Sequence, residues 1–206
     1  MLLSIHPDNP QIRLINQAVK VFRSGGVVIY PTDTVYGIGC DFSNPKAVER
    51  IYKIKGEKIN KAQLAFICKD LAQAQQYIRN ISTPTFRLLK KSLPGPYTFL
   101  LEANNSVPKI MGHSKKQVGL RIPNHPIPLA IVEELGNPIV TSSLKHDDEV
   151  LEYYSDPDEI YDRFKNEVDL VIDGGILGKL PSTVISCLND DFEVIREGAG
   201  SVDVLN

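Results

Sequence analysis

Gly26-Val-Val-Ile-Tyr30 runs without a break into Pro31-Thr-Asp-Thr-Val-Tyr-Gly-Ile-Gly39. The first stretch is a short apolar run rich in β-branched residues, the pattern of a buried strand. The second is a turn-rich segment carrying hydroxyls, a carboxylate, a phenol and two glycines. A buried strand that ends in a polar turn is how open α/β sheets present groups to a ligand.

The flanking sequence supplies helices and further strands. Upstream, Asp8-Asn9-Pro10 predicts a helix start, with Asn as the cap and Pro at the first helical position. Ile12, Ile15, Ala18, Val19 and Phe22 recur at helical spacing before Gly25-Gly26 ends the run. Downstream, Asn44-Pro45 caps a second helix with Ala47, Val48, Ile51 and Tyr52 inward. Residues 64–68, 97–101, 118–122 and 138–142 read as strands, and residues 70–78 and 84–91 as helices. Leu129, Ile131, Val132 and Leu135 mark another helix, and Asp156-Pro157 with Glu159 starts one more. Three strands, 168–172, 183–187 and 192–196, close the chain.

Helices interleave with strands early and strands cluster late, which predicts an α/β fold with a mixed twisted sheet and packed helices. The 206 residues are expected to form one domain, 1–206. No G-x-G-x-x-G follows the first strand and no Walker A lysine motif occurs, so a nucleotide would be held in another way.

Composition narrows the function classes. Hydrophobic residues make up 42% and charged residues 23%, which is the globular range. The opening lacks the basic n-region of a signal peptide and no apolar run reaches a membrane span, so a cytoplasmic protein without membrane contact is expected. Cys40, Cys68 and Cys187 are odd in number and far apart, which predicts buried free thiols and no zinc site. The four histidines share no metal or triad spacing, and His146-Asp147-Asp148 reads as an exposed acidic loop. The net charge of −2 hides an asymmetry. Residues 1–144 carry 18 Lys/Arg and 9 Asp/Glu, whereas residues 145–206 carry 5 and 16. That split suggests a basic face for an anionic partner, although two solvated faces would read the same way.

Several polar groups fall at strand ends. Thr32, Thr34 and Tyr36 follow the first strand; Thr98, Arg121 and Ser142 belong to later ones; Ser182, Thr183 and Arg196 lie near the C-terminus. Hydroxyls and guanidinium forks suit phosphate and carboxylate. Singly, each has an ordinary reading as a turn hydroxyl or a surface arginine.

Taken together, the motifs resemble one family. Residues 30–39 (Tyr-Pro-Thr-Asp-Thr-Val-Tyr-Gly-Ile-Gly), 51–56, 94–98, 119–123, 181–184 and 196–198 occur in the order and spacing of the YrdC-like family, along almost the whole chain. The opening Ile5-His-Pro-Asp-Asn-Pro-Gln and the late Val168-Asp-Leu-Val-Ile-Asp-Gly-Gly are similar to its YciO branch. The resemblance implies a concave basic cavity in the mixed sheet. It implies an ATP-like or AMP-like nucleotide with Mg2+, threonine as a further ligand, and no organic cofactor. It also implies chemistry related to L-threonylcarbamoyladenylate synthesis for tRNA modification, with tRNA or double-stranded RNA as partner. The site it implies comprises Thr32, Thr34, Tyr36, Lys55, Lys58, Arg121, Ser142, Ser182, Thr183 and Arg196, with no catalytic residue assigned.

Two departures lower the expected activity. The family's Lys-x-Arg motif is replaced here, Lys55-Gly56 being followed by Glu57 and Lys58. Its Ser-x-Asn motif reads Ser142-Ser143-Leu144. A carboxylate near a bound phosphate is repulsive, most of all in a desolvated site. The expected protein therefore binds nucleotide and RNA with the synthase activity weakened or altered. The alternatives are a competent synthase, with Lys58 and a serine hydroxyl covering the losses, and a non-catalytic factor associated with ribosomes or RNA. For RNA, Lys46, Arg50 and Lys53 recur at spacings of four and three and share one helix face.

Overall fold

The computed structural model describes residues 1–56, 64–107, 117–145 and 153–205. Glu57, Lys58 and Lys61, with His113 and His146, lie outside the described residues.

The elements in chain order are β1 (Leu2–Ser4), α1 (Ile12–Arg23), β2 (Val28–Tyr30), β3 (Gly37–Asp41), α2 (Pro45–Ile54), β4 (Ala65–Ile67), α3 (Leu71–Ala74) and α4 (Thr83–Ser92). There follow β5 (Tyr97–Glu102), β6 (Gln117–Arg121), α5 (Pro126–Leu135), β7 (Ile139–Ser143), α6 (Pro157–Phe164), β8 (Leu170–Asp173), β9 (Thr183–Ser186) and β10 (Glu193–Arg196). The strands form one ten-stranded sheet in the order β1-β8-β2-β3-β7-β4-β6-β5-β9-β10. Parallel pairs (β2 with β8, β4 with β6, β5 with β9) occur beside antiparallel ones (β2 with β3, β3 with β7, β5 with β6), so the sheet is mixed.

The sheet separates two cores, and the alternation of strand side chains decides which residue joins which. Val28 and Tyr30 pack with Ile15, Val19 and Phe22 of α1 and with Ile131 and Leu135 of α5. Val27 and Ile29 face the other way, toward Val48 and Ile51 of α2, Leu89 of α4 and Phe164 of α6. All three cysteines are buried and free.

Caps follow local chemistry where the sequence offers an acceptor. Asn44 accepts from the Ala47 N–H, Ser82 from Thr85 and Asp156 from Asp158. The expected Asn9 cap does not form. His6 Nδ1 accepts from the N–H groups of Asp8 and Asn9 instead, and α1 begins at Ile12 after Gln11. The helix expected over 70–78 is confined to α3, because Ile78 leaves it to bridge Ala103.

The largest difference concerns residues 37–41, which continue the turn-rich segment in sequence but form β3 in the middle of the sheet. The glycines are there for space. A Cβ on Gly39 would lie 2.6 Å from the Val140 carbonyl oxygen and 2.9 Å from the Tyr30 hydroxyl.

Candidate functional site

β2 ends at Tyr30, and the chain turns at Pro31 before returning as β3. The turn is tied within itself. The Thr32 hydroxyl donates to the Val35 carbonyl at 2.7 Å and accepts from the Thr34 N–H at 3.1 Å. Both threonines are buried. These bonds aim Asp33 across the sheet at β6.

There the Arg121 guanidinium donates to Asp33 Oδ1 at 2.7 Å and to the Thr34 hydroxyl at 3.2 Å. The second Asp33 oxygen accepts from the Asn124 N–H at 3.0 Å. The Arg121 and Asp33 side chains are 9% and 8% exposed, so this is an ion pair taken out of water. Arg121 Nε is buried with no acceptor. Burial lowers the Arg121 pKa, Asp33 opposes that shift, and Arg196 adds to it.

Arg196 arrives from the sheet edge. The ladder between β9 and β10 shifts between Val194 and Arg196, a bulge that sets Arg196 opposite Val184. Opposed residues share a face of the sheet, and Val184 lines the cavity, so the bulge brings Arg196 into it. Its Nη2 donates to the Ser182 carbonyl at 2.8 Å, and its Nη1 lies 3.5 Å from the Tyr153 hydroxyl. The Ser182 hydroxyl pairs with that of Thr98 at 2.8 Å.

The result is a cavity of about 100 Å3 lined by Thr32, Tyr36, Arg121, Ser142, Ser182 and Arg196 together with small and apolar residues such as Gly37, Ala65 and Gly119. Gly119 leaves no room for a side chain, since a Cβ there would come 2.9 Å from that of Ala65. A larger concavity, about 610 Å3, lies elsewhere around Arg79 and Asn104, but it contains neither Arg121 nor Arg196. The smaller cavity is the chemically built one, because concentrated buried charge marks a ligand site more strongly than volume does.

Of the ten expected residues Lys58 lies outside the described residues, and the other nine divide into three groups. Six converge on the cavity as above. Two stand at its margin: Thr34 holds Arg121, and Lys55, the residue after α2, donates from Nζ to the Ser143 carbonyl at 3.3 Å. Thr183 turns away; its hydroxyl donates to the Gly200 carbonyl at 2.6 Å and accepts from the Gly198 N–H, which clamps the 197–200 loop. Tyr36 also fastens a neighbouring loop, donating to the Gly175 carbonyl at 2.7 Å and accepting from the Gly174 N–H. Burial pushes its phenol pKa well above the ordinary value.

Asp33 was missing from the expected set. Its position between two turn threonines was the available signal, but its partner is 88 residues away in sequence. Tyr30 was missing too, and its hydroxyl donates to the cavity residue Thr141 at 2.6 Å.

On α2, Lys46 and Lys53 are exposed. Arg50 bends inward: Nη1 pairs with Asp169 at 2.8 Å and Nη2 donates to the Glu167 carbonyl. The stripe is therefore less positive than its sequence suggests. Among the described residues no group of three or more His, Cys, Asp or Glu could hold a metal ion, and no helix is long and apolar enough to cross a membrane.

Comparison with known proteins gives a consistent result. A family model for Sua5, YciO and YrdC proteins, described as telomere recombination, matches residues 20–198. The chain is 44% identical over 200 residues to the YciO protein of Escherichia coli K12, covering 96% of this chain and 95% of that one. The crystal structure of E. coli YciO superposes with a TM-score of 0.93 at 41% identity, covering 100% and 99% of the two chains. A threonylcarbamoyl-AMP synthase of Nitrosococcus oceani is 35% identical over 135 residues, which are 66% of this chain and 71% of the synthase. P. abyssi Sua5 complexed with L-threonine gives a TM-score of 0.88 at 26% identity, covering 98% of this chain and 59% of that one.

Proposed function

The chain belongs to the Sua5/YciO/YrdC family, and from that premise we propose that its cavity binds a nucleotide together with a small amino acid, with threonylcarbamoyl-AMP chemistry weakened or altered. The family relation is to YciO proteins first and to threonylcarbamoyl-AMP synthases more distantly.

One observation carries the reading. Two guanidinium groups, Arg121 and Arg196, line one small cavity whose lining includes no carboxylate; Asp33 pairs with Arg121 from outside that lining, and Arg121 Nε has no acceptor. A half-buried guanidinium, Arg196, without a carboxylate partner in the cavity, and the orphaned donor of buried Arg121, are costly in an empty site. An oxyanion of the ligand, a phosphate or an amino-acid carboxylate, supplies both the charge and the acceptor. The hydroxyls of Thr32, Ser142 and Ser182 surround it and offer donors and acceptors to the remaining polar atoms.

The family resemblance supplies the reaction to compare. A threonylcarbamoyl-AMP synthase condenses the threonine amine with bicarbonate to a carbamate, losing water, and the carbamate oxygen attacks the α-phosphate of ATP and displaces pyrophosphate. In this chain Arg121 and Arg196 would orient the anionic groups, and Asp33 would hold Arg121 in place. ATP would bring Mg2+; the described residues do not supply a carboxylate cage for it, since Asp33 is already shared between Arg121 and Asn124. Glu57 and Leu144, in place of the family's Arg and Asn, are what weakens turnover in this reading.

Contact with tRNA or double-stranded RNA is part of the proposal and rests on Lys46 and Lys53, whose exposed side chains lie on one side of α2. Release of pyrophosphate from ATP that requires both threonine and bicarbonate tests the reading. The expected turnover lies far below the ~1–1000 s⁻¹ of ordinary enzymes. Turnover inside that range would identify a competent synthase.

A further inference from the structure

The α3–α4 side of the molecule carries a second basic surface that the cavity does not use. α4 has no acidic residue, and Phe86, Arg87, Lys90 and Lys91 are exposed along it. Phe86 pairs with Lys90 and Arg87 with Lys91 at a spacing of four, so all four share one face. Among the described residues no carboxylate pairs with Arg87 or Lys90. On α2, by contrast, Arg50 is held by Asp169.

This face borders two adjoining concavities. One of about 410 Å3 is lined by Arg79, Asn80, Ser82, Thr83 and Phe86 among others. The other, of about 610 Å3, continues it past Arg79 and Asn80 to Glu102, Asn104 and Asp190. Its wall is fixed. Asn104 Nδ2 donates to the carbonyls of Gln76 and Ile78 at 2.9 and 3.2 Å, and Asp190 accepts from the Thr85 hydroxyl at 3.3 Å. The smaller cavity and this one have no lining residue in common.

We propose that this face binds a single-stranded polynucleotide, with one unpaired base stacked on Phe86 and seated in the concavity. Each component has a counterpart in that ligand. Phe86, 37% exposed, offers a π-face to a base. The guanidinium and ammonium groups of Arg87 and Lys90 meet the phosphates on either side. The amide of Asn80 offers a donor and an acceptor to a base edge, and the carboxylates of Asp190 and of Glu102, which also pairs with Arg79 at 3.4 Å, accept from exocyclic amino groups. A duplex keeps its bases stacked and paired, so it cannot use the concavity.

The experiment titrates the full-length chain into a fluorescein-labelled single-stranded RNA of ~12 nucleotides. Anisotropy is read at ~50 and ~200 mM salt. Phe86→Ala should weaken binding by about tenfold or more, because stacking is worth about 1–3 kcal/mol per base and 1.4 kcal/mol is tenfold. Phe86→Trp should retain it. Arg87→Glu with Lys90→Glu should reduce the log–log salt slope by about 1.4, at about 0.7 for each lost contact. Thermal melting of these surface variants should match the wild type. Three results would overturn the proposal: wild-type affinity in Phe86→Ala, loss of binding in Lys46→Glu with Lys53→Glu while the α4 variants bind normally, or equal displacement of the RNA by polyglutamate of matched charge.

Discussion

Arg121 donates to Asp33 at 2.7 Å inside the sheet, yet its Nε remains without an acceptor. The pair is thus complete as an ion pair and incomplete as a hydrogen-bonding unit. Removing one member of a buried pair costs about 3–5 kcal/mol, because the other charge is stranded. Asp33→Asn is therefore expected to lower unfolding stability by about that amount in buffer without multivalent anions. Added pyrophosphate should restore part of the loss, since it can pair with Arg121. Denaturant melts with and without pyrophosphate measure both effects; a loss below ~0.5 kcal/mol would mean that Arg121 does not depend on Asp33.

The Tyr36 phenol ties the loop that follows β8, alongside the Gly175 N–H donation to Asp173 and the Leu177 N–H donation to the Ser155 carbonyl. Tyr36→Phe removes both its donation to Gly175 and its acceptance from Gly174. A net hydrogen bond is worth about 0.5–1.5 kcal/mol, and stranded buried groups add to that. The expected result is a loss of about 1–3 kcal/mol with faster amide exchange confined to residues 174–178. Unchanged exchange there would show that the loop is held by other contacts.

His125 caps α5 by accepting the Ile127 N–H at Nδ1, which requires an unprotonated nitrogen. Burial lowers its pKa below the usual 6.5, opposed by the nearby carboxylates of Asp33 and Asp8. The unfolded chain then binds the proton more readily than the folded one, so stability rises with pH in that window. The contribution is complete above about pH 6.5 and is lost as pH falls toward the depressed folded value. His125→Asn keeps a capping acceptor and removes the titration. Melts between pH 5 and 7.5 should show a shallower acid-side slope in that variant, and equal slopes would contradict the assignment.

Leu144 occupies the place of the family's Asn and is 3% exposed within the apolar core, while Ser142 and Ser143 line the cavity. Leu144→Asn should therefore cost about 2–5 kcal/mol, combining a lost apolar side chain with a buried amide. Paired with Glu57→Arg, it is expected to raise pyrophosphate release per folded molecule despite that cost. No gain would show that the two departures are not what limits the chemistry.

The parts of the fold visible in sequence are those governed by near neighbours. The periodic faces of α1 and α2, the caps at Asn44, Ser82 and Asp156, and the buried run of β2 all follow from residues a few positions apart. β3 was hidden because its glycines, read locally, signal a turn; they are needed because Val140 and Tyr30 crowd them across the sheet. The cavity was partly legible. Thr32, Tyr36, Arg121, Ser182 and Arg196 fall in recognisable motifs, but the partnership of Asp33 with Arg121 joins a turn to a strand 88 residues away in sequence. Likewise, nothing local in α2 tells that Asp169 draws Arg50 away from the basic stripe.

The claim on which the account rests is that Arg121 and Arg196 hold the anionic part of a nucleotide in the cavity between β2, β6 and β9. Calorimetric titration of ATP, with threonine and bicarbonate present, into the wild type and Arg196→Ala tests it most directly. Charged hydrogen bonds are worth about 1.5–3 kcal/mol, so the account predicts saturable binding that weakens about 10- to 150-fold in the variant. Absence of binding to the wild type, or a difference between the two proteins below ~0.5 kcal/mol, would contradict it.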